Sequence, residues 1–395
     1  MVTHVKTIRL LVGVLLASAW LGLAFGARPL FDAYPELQEK IAWVKLANLP
    51  TPIKKLDNLG RELGVNNLYV KLDNVTNPTF GGNKVRKLEF LFGQALQGGY
   101  AGVATDGCYG TNHGCATAVH AHQLGLKCHL FLTPQPATSY LRRNLKLDYY
   151  YGAELHCFAN RAEREAQKPV INQAFKAAHG TDLYFIPVGG SNVIGALGFV
   201  NAAFELKEQI DAGLMPMPDI IYVTLGSCGT AAGIIVGCKA AGLTCKIVPV
   251  SVELEWAPGV LRRSLSALVN ELDAFLAGLV PGFPPCAYDD NQVTIEYNFV
   301  GTGYAKATAQ AQAAIQLLEN TEQIKLDGTY TGKTFAALLA HIQADPELKN
   351  KTILFWDTFC NGEFTEITSQ VDYKLLPEAL HAYFEGPLEQ YDAGV

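Results

Sequence analysis

The stretch Asn77-Pro78-Thr79-Phe80-Gly81-Gly82-Asn83-Lys84-Val85-Arg86-Lys87-Leu88-Glu89-Phe90 stands where a strand pattern gives way to a helical one. Before it, Tyr69-Val70-Lys71-Leu72 reads as a strand. After it, Val85 to Ala95 reads as a helix with Leu88, Leu91 and Phe92 on one face. Gly81 and Gly82 let the backbone bend tightly and leave room for a bulky ligand at the turn. Lys84 falls in the first helical turn, where the positive end of a helix favours anions. The same field helps lower an amine pKa, and a neutral amine is the form that Schiff-base chemistry needs. Taken alone, a lysine in such a turn is more often a solvated surface residue. The other loops decide.

Outward from this turn the chain alternates. Strand-like runs fall at 67–73, 102–106, 127–133, 153–158, 183–188, 219–225, 246–252, 294–299 and 352–358. Helical patterns fill most gaps, notably 84–97, 112–124, 160–179, 192–210, 229–241, 306–319 and 332–343. This rhythm predicts an α/β fold with parallel sheets covered by helices. A length of 395 residues suits two lobes or one large domain. Residues 99–190, with four strand and helix units, are expected to form a smaller domain beside a larger one from 40–98 and 191–385.

Composition narrows the class. Hydrophobic residues make up 49% and charged residues 17%, as in a well-buried globular enzyme. A net charge of −6 and the lack of a basic tract give no reason to expect a nucleic-acid partner. Nine cysteines without a CxxC pair make no disulfide framework. His120, His122, Cys128 and His129 lie close in sequence but match no known ligand spacing, so no metal is expected. At the N-terminus, Lys6 and Arg9 precede an apolar run from Leu10 to Ala27. That layout reads as a signal peptide or membrane anchor over 1–27, and either implies export, with the membrane touched only through this segment.

Ligands of such sheets collect at the carboxyl ends of strands. Leu225-Gly226-Ser227-Cys228-Gly229-Thr230-Ala231-Ala232-Gly233 follows one strand and opens a helix, so its free N–H groups and the hydroxyls of Ser227 and Thr230 suit a phosphate. It is neither a Walker loop nor a GxGxxG turn, and packing alone accounts for many such loops. Thr111-Asn112-His113 starts another helix, where a cap residue or a carboxylate grip explains it equally. Gly189-Gly190-Ser191-Asn192, Tyr330-Thr331 and Asp357-Thr358 end or begin further elements. Five ligand-friendly loops at one end of a sheet, together with Lys84, point to a phosphate-bearing aldehyde cofactor.

The residues resemble the fold-type II pyridoxal-phosphate enzymes, two-lobed proteins like the tryptophan synthase β subunit. Within them they are most similar to the family of D-cysteine desulfhydrase and 1-aminocyclopropane-1-carboxylate deaminase. The landmarks are Leu49-Pro50-Thr51-Pro52, the Asn77 to Phe90 stretch, Ile186-Pro187-Val188-Gly189-Gly190-Ser191 with Gly195 and Gly198, and the Gly226 to Gly233 loop. They appear in the family's order over roughly 45–365. The resemblance implies that Lys84 holds pyridoxal 5′-phosphate in Schiff-base linkage and shuttles the substrate α-proton, with Lys87 as the rival three residues on. It implies that Asn112 bonds the ring hydroxyl and that Gly226, Ser227, Cys228, Gly229 and Thr230 cradle the phosphate. Thr111 and His113 would lie at the substrate carboxylate, Tyr304 and Tyr330 would line the substrate pocket, and Thr331 would face the pyridine nitrogen. Catalysis would fall to Lys84, Tyr330 and Thr111. A homodimer is the family's usual assembly.

Thr331 discriminates between the two activities. The deaminase branch carries a glutamate there, which keeps the pyridine nitrogen protonated. A hydroxyl leaves it neutral, which favours prompt β-elimination from a small amino acid such as D-cysteine. Cyclopropane opening, or deamination or dehydration of another small amino acid, is the alternative. A non-catalytic cofactor or amino-acid binding protein is the alternative of another class. Gly114-Cys115-Ala116, Asp357 and Phe359-Cys360 depart from the family pattern and leave the substrate open.

Overall fold

A computed structural model describes residues 28–254, 259–286 and 288–388. The segment read as a signal peptide or anchor, 1–27, lies outside them. The strands are β1 (Ile53–Lys55), β2 (Asn67–Leu72), β3 (Gly102–Cys108), β4 (Lys127–Thr133), β5 (Glu154–Cys157), β6 (Tyr184–Ile186), β7 (Ile220–Leu225), β8 (Lys246–Ser251) and β9 (Thr352–Asp357). The helices of ten residues or more are α1 (Asn83–Gln97), α2 (Asn112–Gln123), α3 (Ser139–Tyr150), α4 (Arg161–His179) and α5 (Val193–Asp211), followed by α6 (Gly229–Ala240), α7 (Val260–Leu279), α8 (Ala309–Glu322) and α9 (Thr331–Ala344).

Two sheets result. The larger has the order β1-β2-β9-β7-β8 and the smaller β5-β4-β3-β6. Every pairing is parallel except that of β1 with β2. All strands of the smaller sheet come from within the 99–190 block.

Alternation along the central strands shows why both faces are covered. Ile221, Val223 and Leu225 of β7 join Leu354 and Trp356 of β9 against Phe199 and Val200 of α5, Ile235 of α6 and Leu272 of α7. The intervening Tyr222, Ile353 and Phe355 join Leu318 of α8 and Phe335 and Leu338 of α9. A strand buried on both sides reads as an unbroken apolar run, which is how these were legible. Close helix contacts need small residues. A Cβ on Gly198 of α5 would lie 2.2 Å from the Arg86 carbonyl oxygen of α1.

Two expectations fail locally. Residues 294–299 form no strand. Val293 and Glu296 make only isolated bridges to Ile247 and Val250 beside β8. The helices α3 and α7 were not foreseen, because the paired charges Arg142-Arg143 and Arg262-Arg263 break the apolar pattern near their starts.

The cavity between the sheets opens at strand carboxyl ends. Loops after β3, β6, β7, β8 and β9 all reach it, as does the turn before α1.

Candidate active site

The cavity measures about 370 Å³ and takes residues from both sheets. Lys84 lines it from the first turn of α1. Among the described residues its amine makes no hydrogen bond. Desolvation lowers its pKa to about 8, while the Asp327 carboxylate opposes that shift. Lys87 lines the same cavity, but its Nζ donates to the Gly189 carbonyl at 3.0 Å and to Ser191 Oγ at 3.2 Å. The two lysines thus differ in employment. Lys84 is the uncommitted amine and Lys87 is tied to the loop after β6.

The other charges of α1 hold it in place. Arg86 donates to Asp73 through Nε at 3.0 Å and Nη2 at 2.8 Å, and to Glu205 Oε2 through Nη1 at 2.9 Å. Lys71 also pairs with Glu205 and donates to the Thr51 carbonyl at 2.7 Å. Two cations and two carboxylates therefore balance inside the core, which a lone buried charge could not do. Glu89 Oε1 accepts the N–H groups of Leu46 and Ala47 at 3.0 and 2.9 Å. Every charged side chain from Lys84 to Glu89 points inward for a separate reason.

Across the cavity, the loop from Gly226 to Thr230 leads into α6. Ser227 Oγ and Ser191 Oγ share a 2.8 Å hydrogen bond, and Gly229 N–H donates to Ser191 Oγ at 3.1 Å. Asn83 Nδ2 donates to Thr230 Oγ1 at 3.0 Å, which ties the lysine turn to this loop. Cys228 has φ 69°, a left-handed conformation that L side chains adopt reluctantly. A Cβ on Gly229 would come within 2.6 Å of Ser191 Oγ and 3.0 Å of Lys87 Nζ. Only glycine leaves that cradle open. Hydroxyls, a helix N-terminus and an adjacent lysine are the donor set an oxyanion requires. Burial, with the nearby Lys84, pushes the Lys87 pKa well down, and an anion here would favour its ammonium form.

Thr111 caps α2, its Oγ1 accepting from Gly114 N–H at 3.2 Å. Asn112 Oδ1 accepts from Asn144 Nδ2 at 2.9 Å. That bond fixes the amide so that its NH₂ remains to donate into the cavity, as a ring hydroxyl or oxide would need. His113 is buried on the same wall, and desolvation with the two lysines keeps its ring neutral. Tyr304 and Tyr330 line the cavity and share a short hydroxyl–hydroxyl hydrogen bond. Burial raises both phenol pKa values far above the ordinary, so both keep their protons.

Thr331 is placed differently from the expectation. It is buried and does not reach the cavity wall. Its Oγ1 donates to Asp327 Oδ2 at 2.8 Å, and the Asp327 oxygens also take the N–H groups of Thr329, Tyr330 and Thr331. Asp327 rather than Thr331 lines the cavity. The aspartate was missed because it stands three residues before the N-cap, Tyr330, where the sequence carries no capping signal. Lys333 was also missed. It donates to the carbonyls of Val300 and Gly303 at 2.7 and 3.1 Å and so fixes the loop that carries Tyr304.

An uncommitted amine, an oxyanion cradle and an oriented amide fit pyridoxal 5′-phosphate. The model of a family described as pyridoxal-phosphate dependent enzyme matches residues 44–358. The D-cysteine desulfhydrase of Klebsiella pneumoniae is 32% identical over 321 residues, 80% of this chain and 93% of that protein. A nocardicin C-9′ epimerase of Nocardia uniformis is 30% identical over 341 residues, 84% and 97% of the two chains. A crystal structure of an ACC deaminase homologue superposes with a TM-score of 0.71 at 28% identity, covering 88% of this chain and 100% of that one.

Proposed function

Since the chain belongs to the pyridoxal-phosphate-dependent enzymes, we propose that it is a lyase that removes the β substituent and the amino group of a small amino acid, with D-cysteine the leading substrate. D-cysteine and water would give pyruvate, sulfide and ammonia. The observation that carries this reading is the free Lys84 amine on the wall of a cavity that also holds an oxyanion cradle. The likeness to D-cysteine desulfhydrases over about four fifths of the chain supports elimination, with ring opening of a cyclopropane amino acid the alternative.

When bound, pyridoxal phosphate supplies the electron sink that acidifies the substrate Cα–H. Ser227, Thr230 and Lys87 would hold its phosphate, and Asn112 its ring oxygen. Lys84 Nζ, with a pKa drawn down to about 8 by desolvation, would take the proton from Cα. Thr111 and the first N–H groups of α2 would orient the substrate carboxylate. The protonated Tyr330 hydroxyl, steadied by Tyr304, would donate to the departing thiolate.

The test is to purify residues 28–395 and record the visible cofactor band with and without Lys84→Ala. Keto-acid release is then assayed from D-cysteine, L-cysteine, D-serine and the cyclopropane amino acid. A band that vanishes in Lys84→Ala, with pyruvate from D-cysteine, is expected. Absence of the band would sink the cofactor assignment, and a band without turnover would leave a binding protein.

A further inference from the structure

The edge of the smaller sheet gathers three groups that the reaction does not use. β4 and β5 run parallel, with His129 opposite Glu154 and Phe131 opposite His156. Paired residues, and residues two apart in a strand, share one face of a sheet. Both imidazoles and the carboxylate therefore project on the same side. The two rings stack with centroids 5.2 Å apart and 13° between their planes. His129 Nδ1 lies 3.0 Å from His156 Nε2. Glu154 comes within 3.5 Å of His156 Nε2 and 3.7 Å of His129 Nε2. One donor atom from each residue fits within a span of 4.8 Å.

We propose that His129, Glu154 and His156 bind one divalent transition-metal ion of the zinc, cobalt or nickel type. The donor set is two nitrogens and one oxygen, which suits borderline ions rather than magnesium or calcium, whose partners are oxygens. An ion bound at about 2.0–2.2 Å from tetrahedral ligands needs them roughly 3.3–3.6 Å apart. One donor atom from each residue lies within 4.8 Å of the others, so a small side-chain adjustment would bring the three to that spacing.

The surroundings agree with a site of this kind. The three residues border a second cavity, of about 470 Å³, which also takes His179 from the end of α4. The Glu154 side chain is 63% exposed, so water can complete the coordination from that side. β5 is the outer strand of its sheet, and an ion here would fasten it to β4. The sequence had grouped His129 with His120 instead. The fold sends His120 elsewhere, its two nitrogens meeting Gln123 Oε1 and the Phe80 carbonyl. The competing account is that His129 and His156 simply satisfy each other through one shared hydrogen bond.

The experiment uses holoenzyme freed of metal with a chelator and dialysed to remove excess cofactor. Zinc binding is followed by calorimetry and melting temperature, and cobalt binding by visible absorption. One equivalent should bind, with cobalt d–d bands but no thiolate charge-transfer band, and zinc should raise the melting temperature. Glu154→Gln, at an exposed position that tolerates change, should weaken binding about tenfold or more, and His156→Ala further. The cofactor band should be unaltered in both. Failure to see saturable binding, a thiolate charge-transfer band, or equal affinity in Glu154→Gln and the parent would each overturn the proposal.

Discussion

Thr331 Oγ1 donates a 2.8 Å hydrogen bond to Asp327 Oδ2 and accepts a 3.0 Å bond from the Asp327 N–H. The threonine thereby closes the turn that presents Tyr330, and its hydroxyl is committed before any ligand arrives. Thr331→Val leaves a buried carboxylate one donor short, at a cost of about 2 kcal/mol. Its melting temperature should fall, while Thr331→Ser should stay near the parent. A Thr331→Val protein as stable as the parent would show that the bond contributes little.

Lys84 should set the pH dependence of cofactor capture. Only its neutral amine attacks an aldehyde, so the rate at which apo-protein takes up pyridoxal phosphate should rise with pH and level off above about 8. An ordinary lysine would not level off until near 10.5. The stability effect has the matching sign. Because the folded value lies below the ordinary one, folding is opposed by this group below about 8, and the opposition fades as pH rises towards 10.5. Apo Lys84→Met should therefore melt higher than the apo parent at pH 7. Stopped-flow capture and thermal melts across pH check both.

Glu205 should make the fold acid-sensitive. Burial alone would raise its pKa, but Arg86 and Lys71 together hold it at about 2, below the ordinary 4.5. Stability from this carboxylate is full above 4.5 and is lost as pH falls towards 2. Glu205→Gln leaves the buried Lys71 ammonium without a carboxylate and Arg86 with Asp73 alone, and should cost about 3–5 kcal/mol at pH 7. Urea titrations at pH 7 and pH 3 should show the parent and variant converging at the lower pH.

Gly229→Ala should damage the phosphate cradle without unfolding the protein. Its Cβ would press to 2.6 Å from Ser191 Oγ, which bridges Ser227 and the Gly229 N–H. Cofactor affinity should drop at least about tenfold, or about 1.4 kcal/mol, as read from titration of the visible band. The apo-protein should keep its far-ultraviolet circular dichroism, since alanine is at home in a first helical turn. Unchanged affinity would mean that the phosphate sits elsewhere.

Much of this was legible along the chain. β2, β7 and β9 announce themselves as apolar runs because both faces of each strand are covered. The glycine loops show because strand-to-helix turns that approach a ligand cannot carry side chains. The resemblance carried by Asn77 to Phe90 then named the chemistry. Where the pattern was weak the reading slipped. Residues 294–299 alternate like a strand yet have only the rim of β8 to lean on.

Local sequence determined that Lys84 stands in a tight turn at a helix start, and that a glycine loop suited to phosphate follows β7. It could not determine how the amines of Lys84 and Lys87 are employed, since both lie in the first turns of one helix. That was decided by the loop after β6, whose Gly189 carbonyl and Ser191 hydroxyl engage Lys87 from about a hundred residues away. Tertiary structure likewise paired Arg86 with Asp73 and Glu205, turned Thr331 towards Asp327, and set His129 beside His156. The physical reason is common to all four. Burial makes an unpaired polar group costly, and its partner is whichever group the fold brings within 3 Å or so, which no local pattern records.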